Sequence, residues 1–223
     1  RIQGPRSTQT LPHPAPLVQV RDVRGDAVYW VSKELLNSSH FAALKEAVSS
    51  IDGLVLGVLK GHRAVPVLAG LHARSDPMLA VYPGGGARFQ KHIDNSAEDG
   101  RKLTVVTYLN PNWKQADGGA LRIHPPKGPV RDVYPQAGRM VLFYSDVIAH
   151  EVMPSNAGRH AMTVWYYDKA EHDKAKAAVA KTNFTHANVS DQVRMEARDF
   201  VRDIVADSSE PTGKTLQQLH TRA

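Results

Sequence analysis

Between residues 54 and 167 the chain is cut into six short runs rich in β-branched and aromatic side chains: 54–59, 78–82, 103–109, 120–124, 140–144 and 160–167. The cuts fall at Pro83-Gly84-Gly85-Gly86, Asp117-Gly118-Gly119, Pro125-Pro126 and Ala137-Gly138. Such runs predict strands, because branched side chains fit a pleated surface while glycine and proline supply the backbone angles that reverse it. A helical pattern comes first. Ser32 is a good N-cap, Leu35, Leu36, Phe41, Leu44 and Val48 recur at helical spacing, and Asp52-Gly53 closes the stretch. Helices followed by strands argue against alternating βαβ units. The expected fold is mainly β with flanking α-helices, a sandwich or jelly roll packed on the N-terminal helices.

A chain of 223 residues, 42% of them hydrophobic, is long enough for one domain with a sizeable core. The expected division is a leader or arm over residues 1–17, which carries four prolines, a catalytic domain over 18–175, and a helical extension over 176–223 with a frayed end. In that extension residues 170–181 are rich in Ala and Lys, and residues 189–206 set Val193, Phe200, Val201, Ile204 and Val205 on one apolar face. The sequence contains no cysteine, which excludes disulfides and thiolate metal sites. No apolar run approaches the roughly 20 residues of a membrane span, and residues 1–17 lack the apolar core of a signal peptide. A monomeric protein of the cytoplasm, or also of the nucleus, is expected, without membrane contact. Asn37-Ser38-Ser39, Asn183-Phe184-Thr185 and Asn188-Val189-Ser190 match the glycosylation pattern and are read as unused. The net charge of +6 is dispersed among acidic residues rather than gathered in a stripe, so no nucleic-acid site is expected. An acidic peptide or co-substrate would suit the surplus.

His92-Ile93-Asp94 stands at the foot of a strand-like run, and His150-Glu151-Val152 opens another. Two imidazoles and one carboxylate are the ligands that leave three adjacent positions open on a non-heme Fe(II). With 11 histidines in the chain, one His-x-Asp arises about by chance, so the triplet needs its context. Residues i and i+2 of a strand share a face, which would let His92 and Asp94 grip one ion, with His150 brought in from a distant strand. The bland alternative for His150 is a surface histidine near Asp146.

Arg159 opens the run Arg159-His160-Ala161-Met162-Thr163-Val164-Trp165. If that run pairs beside the segment of His150, the guanidinium lies deep, where an unpaired charge is costly, and it needs an anion. A planar fork suits a carboxylate, and the remote carboxylate of 2-oxoglutarate is such an anion. Tyr108, from a facing strand, would add a hydroxyl to it, or is ordinary core. His160 should point to the opposite face, and His124 has no ligand-like partner at useful spacing.

These residues sit inside a longer colinear set. Val81-Tyr82-Pro83-Gly84-Gly85-Gly86, Lys91-His92-Ile93-Asp94-Asn95, Asp99-Gly100-Arg101, Tyr108-Leu109-Asn110, Trp113, Gly118-Gly119-Ala120-Leu121-Arg122-Ile123, His150-Glu151-Val152 and Thr163-Val164-Trp165-Tyr166 resemble the 2-oxoglutarate- and Fe(II)-dependent prolyl 4-hydroxylases. The likeness is closest to the oxygen-sensing branch that modifies the hypoxia-inducible factor, and it runs from about Arg24 to Lys174. It implies a double-stranded β-helix with iron on His92, Asp94 and His150. It also implies that Arg159 and Tyr108 hold the remote carboxylate of 2-oxoglutarate, with Tyr82, Leu121 and Thr163 lining its pocket. Trp165, Arg101 and Phe89 match the place where the substrate proline enters, and Arg24 and Asp26 match a pair near the mobile loop over that entrance. Phe89 stands where the animal oxygen sensors have a tyrosine, and the approach from Ser145-Asp146 to His150 is one residue shorter than theirs.

The implied reaction converts a prolyl residue of a protein or peptide to 4-hydroxyproline, with O2 and 2-oxoglutarate as co-substrates, succinate and CO2 as co-products, and ascorbate in support. Three rival readings stay open at this point. They are an oxygenase of the same chemistry acting on a small molecule or collagen-like repeat, a catalytically silent binding module, and a hydrolase using another divalent ion on the same ligands.

Overall fold

The computed structural model describes residues 24–186, with side chains as far as Val179. The leader over residues 1–17 and the apolar face over 189–206 lie outside the described residues. Contacts divide the chain into one unit of residues 1–175, which holds both sheets, and another of residues 176–223.

The first strand, β1 (Ala27–Trp30), leads into α1 (Lys33–Leu36), where Ser32 caps as its hydroxyl accepts from the Leu35 amide at 3.4 Å. The next helix is α2 (Ala42–Asp52), and here the sequence expectation fails. Gly53 does not end the helix, and residues 54–59 are not a strand. The chain continues as a π-helical stretch, Gly53–Leu59, closed by a bond from the Lys60 amide to the Val55 carbonyl at 2.9 Å. Val48, Ile51 and Val55 continue one buried face across the glycine, and a short apolar run cannot be told from a buried helix by periodicity alone.

Nine further strands follow among the described residues, and all pair antiparallel. They are β2 (Leu71–Arg74), β3 (Met78–Tyr82), β4 (Ala87–His92), β5 (Arg101–Tyr108), β6 (Leu121–His124), β7 (Arg131–Val133), β8 (Met140–Tyr144), β9 (Ala149–Ser155) and β10 (Arg159–Asp168). The helix α3 (Lys169–His186) ends the described chain. The larger sheet runs β1-β3-β10-β5-β8 with β2 also on β10, and the smaller runs β4-β9-β6-β7. This is the jelly-roll arrangement expected. Strand β10 is central to the larger sheet and buried on both faces, so its sequence reads as a continuous apolar run rather than an alternation.

The alternation nevertheless decides function. Met162, Val164 and Tyr166 of β10, with Leu103 and Val105 of β5, face the helices and form one core with Val31, Val48 and Val55. Their neighbours Ala161 and Trp165, with Met78, Ala80 and Tyr82 of β3 and Val106 and Tyr108 of β5, face the smaller sheet in a second core. The second core opens into the site. Among the described residues no helix is long and apolar enough to cross a membrane.

Candidate active site

A cleft of about 240 Å³ opens between the sheets. Its wall includes His92, Asp94 and His150, and also Arg159, Tyr82, Leu121, Thr163, Arg101, Trp165, Phe89 and Arg24. Tyr108 and Asp26 are not in the wall but stand directly behind it.

The metal-type residues converge as expected, by a somewhat different route. His92 ends β4 and pairs with His150 of β9, whereas Asp94 lies two residues past the strand, in a turn. His92 and Asp94 therefore do not share a strand face as expected, because the chain leaves the sheet between them. Asp94 Oδ1 still lies 3.4 Å from His92 Nε2 and 3.7 Å from His150 Nε2, and the three donor atoms fall within 4.8 Å of one another. The other ring nitrogens are engaged. His92 Nδ1 meets the Gln90 carbonyl at 2.8 Å and His150 Nδ1 the Ile148 carbonyl at 3.1 Å. A carbonyl only accepts, so each Nδ1 carries the proton and each Nε2 presents a lone pair.

Protonation favours the same outcome. Burial of Asp94 opposes its ionisation, yet the contact with His92, the charge of His150 and bonds from Thr104 and Trp165 outweigh it and hold the carboxyl at about 2. Burial depresses His150 below its ordinary value, against the pull of Asp94. With both Nδ1 atoms engaged by carbonyls, the two Nε2 atoms and the ionised Asp94 carboxylate aim three acceptors at one point. That arrangement fits a divalent cation, and the donor chemistry suits Fe(II).

Arg159 is 2% exposed, and its Nε donates to the Gly119 carbonyl at 2.9 Å. Its guanidinium carbon lies 4.9 Å from the centroid of the Tyr82 ring and 5.2 Å from that of Tyr108. No acidic side chain pairs with it among the described residues, and the buried Tyr108 hydroxyl has no hydrogen-bond partner among them. Burial raises the titration of both phenols, so both stay neutral. A buried cation beside an unused hydroxyl is completed by a carboxylate. Two details of the sequence reading change here. Strand β10 does not pair with β9, which belongs to the other sheet, and Tyr108 is on the adjacent strand β5, where it registers with Ala161, rather than on a facing one.

At the mouth Arg24 pairs with Asp26 at 2.6 Å and lies over the Phe89 ring at 4.8 Å, and Phe89 in turn stacks on His92 at 4.0 Å. Asp26 thus holds Arg24 in place from behind. Arg101 pairs with Asp99 at 2.7 Å and lies 5.5 Å from the centroid of Trp165.

The residues 77–167 match the model of the 2OG-Fe(II) oxygenase superfamily. A solved prolyl hydroxylase from Trichoplax adhaerens, in complex with a hypoxia-inducible factor oxygen degradation domain peptide, superposes with a TM-score of 0.60 at 34% identity. The match covers 71% of this chain and 70% of that one. The chain belongs to the 2-oxoglutarate- and Fe(II)-dependent prolyl hydroxylase family. Other members agree: human prolyl hydroxylase EGLN3 is 42% identical over 164 residues, which is 71% of this chain and 65% of that protein. The Caenorhabditis elegans hypoxia-inducible factor prolyl hydroxylase is 34% identical over 208 residues, 91% of this chain and 28% of that protein. The chain therefore spans less than two thirds of the length of these curated relatives. Fe(II) and 2-oxoglutarate are the metal and co-substrate of the family, and His92, Asp94 and His150 form the group that could hold the ion.

Several site residues escaped the sequence reading. Thr104, Trp30 and Met78 line the cleft, and Thr104 donates to Asp94 Oδ2 at 2.7 Å, an oxygen that also accepts from Nε1 of the already expected Trp165 at 3.0 Å. Thr104 shares a face with Val106 and Tyr108 on β5, and that alternation was the available signal. His124 also finds a partner, since its Nε2 lies 2.9 Å from Glu151 Oε1 on the outside of the smaller sheet.

Proposed function

We propose that this prolyl hydroxylase-family chain hydroxylates a prolyl residue of a protein or peptide to 4-hydroxyproline. The reaction consumes O2 and 2-oxoglutarate and releases succinate and CO2. The observation that carries the proposal is the buried Arg159 guanidinium without an acidic partner, set on the same sheet face as Trp165 and opening to three converging metal acceptors. Fe(II), when bound, supplies the oxidising chemistry on O2 and 2-oxoglutarate.

The chain supplies position. Arg159, with the Tyr108 hydroxyl, takes the far carboxylate, and Tyr82, Leu121 and Thr163 bound the space between that anchor and the triad. Nε2 of His92 and of His150, with the ionised Asp94 carboxylate, would hold the metal. Met78, Ala80, Val106 and Val152 give the cleft an apolar wall. Trp165, Arg101, Phe89 and Arg24 form the mouth through which the proline enters, and Arg101 and Arg24 are each charge-paired beside it. Residues 18–175 constitute the catalytic domain under this proposal, acting as a monomer. An oxygen-sensing role in the cytoplasm or nucleus goes with it.

The test is incubation with Fe(II), 2-oxoglutarate, O2 and a library of proline-containing peptides. Mass spectrometry should find a gain of about one oxygen on proline, matched by succinate and abolished in Asp94→Ala. Succinate without any proline oxidation across the library would overturn the substrate class.

A further inference from the structure

One buried hydroxyl beside the triad has no part in the scheme above. Ser145, just past the end of β8, is 0% exposed, and its Oγ lies 2.8 Å from Thr104 Oγ1, itself 1% exposed. Thr104 has a single hydroxyl proton, and it goes to Asp94 Oδ2 at 2.7 Å. The Ser145–Thr104 bond can then run in one direction only, with Ser145 donating. The result is a directed chain from Ser145 to Thr104 to Asp94, in which each bond polarises the next.

Trp165 Nε1 donates to the same Asp94 Oδ2 at 3.0 Å. Two donors therefore occupy Oδ2 and leave Oδ1, the oxygen facing both imidazoles, for the metal. The carboxylate is set to bind through one oxygen, which preserves open positions on the ion. Without Ser145 the Thr104 rotor loses the donor that fixes its oxygen, and Oδ2 is held by Trp165 alone in a fixed direction.

The backbone of Ser145 grips the same segment. Its carbonyl accepts from the amide of Asn95, the residue after Asp94, at 2.9 Å, and its own amide donates to the Lys102 carbonyl at 3.0 Å. These main-chain bonds survive removal of the hydroxyl. A Ser145→Ala variant thus isolates the side-chain contribution.

We propose that Ser145 is a positioning residue for the metal ligand Asp94, acting through Thr104. The proposal rests on His92, Asp94 and His150 being the metal site, and its test keeps the two apart. Mn(II), a redox-silent stand-in for Fe(II), is titrated into the metal-free protein and its affinity read by electron paramagnetic resonance. Loss of a hydrogen-bond partner of a metal ligand typically costs about 10–100-fold in affinity. Ser145→Ala should weaken Mn(II) about tenfold and Thr104→Val by at least as much. The double variant should be no weaker than Thr104→Val within about twofold, because a relay broken once cannot be broken again. Ser145→Cys keeps a weak donor and should fall between wild type and alanine, and it stands in if the alanine variant does not fold. Losses that multiply in the double variant, or Mn(II) affinity unchanged in Ser145→Ala, would overturn the proposal while leaving the metal site in place. Wild-type protein whose Mn(II) binding is indifferent to Asp94→Ala would overturn both.

Discussion

The guanidinium of Arg159 and the ring of Tyr108 lie 5.2 Å apart, one buried cation and one buried hydroxyl without a hydrogen-bond partner among the described residues. Neither suits a closed core, and both suit a carboxylate. Hydrogen bonds to charged groups contribute about 1.5–3 kcal/mol, and a forked pair adds geometric precision to that energy. Arg159→Met should therefore raise the 2-oxoglutarate requirement on the order of 100-fold, and Tyr108→Phe about tenfold. Succinate release against 2-oxoglutarate concentration reads both. An Arg159→Met enzyme with the wild-type requirement would remove the anchor assignment.

Gly119 connects this recess to the backbone. Its φ is +64°, and an added Cβ would lie 3.1 Å from Arg159 Cδ and 2.8 Å from Ser155 Oγ, while its carbonyl accepts from Arg159 Nε. Gly119→Ala strains the turn by about 1–3 kcal/mol and pushes on the Arg159 stem. The expected outcome is a raised KM for 2-oxoglutarate together with a lowered Tm. A lowered Tm with an unchanged KM would show the strain relaxing away from Arg159.

Much of this was legible in the sequence because period-2 alternation is written in single letters. Arg159, Ala161, Thr163 and Trp165 fall on one face of β10 by count alone, and the structure lines the cleft with all four. Other features depend on partners far off in sequence. Ser145 and Thr104 are 41 positions apart and meet through the pairing of β5 with β8, a register no local pattern specifies. Gly53 misled for the opposite reason: its φ of −59° is ordinary helix, so the residue type announced a stop that the packing of Ile51 and Val55 overrode. Asp94 was found by its His-x-Asp spacing while its place beyond the end of β4 was not.

One carboxylate adds a polar tie between the helices and the larger sheet to their shared apolar core. Asp52, at the end of α2, accepts from the Tyr166 hydroxyl at 2.7 Å and from Arg74 Nε at 3.0 Å. Tyr166→Phe keeps the buried ring and removes only the bond, which to a charged acceptor contributes about 1.5–3 kcal/mol. Asp52 is partly solvated, so the lower end applies. At about 2–4 °C per kcal/mol for a chain of this size, thermal unfolding should move down by about 3–6 °C with the 2-oxoglutarate requirement unchanged. An unchanged Tm would mean that water replaces the hydroxyl at no cost.

Lys102 joins three segments near the site. Its Nζ lies 2.8 Å from Asp146 Oδ2, in the loop before His150, and 2.8 Å from Glu171 Oε1, in the first turn of α3. Burial would lower its ammonium, but the bonds and charges of the two carboxylates outweigh that and raise it above the ordinary value. The sign follows directly. A base held above its unfolded value of about 10.4 stabilises the fold fully below that pH and loses the contribution only as pH rises through the higher folded value. Glu171 is the more exposed and more screened partner, so Asp146 carries most of the effect. Lys102→Met should thus lower stability by an amount that stays constant from about pH 6 to 9, and the wild-type advantage should shrink only on the alkaline side of about 10.4. Urea unfolding of both proteins across that range measures it. A difference that already closes between pH 6 and 9 would mean that Lys102 does not titrate as a paired ammonium, and that the loop leading to His150 is held by other contacts.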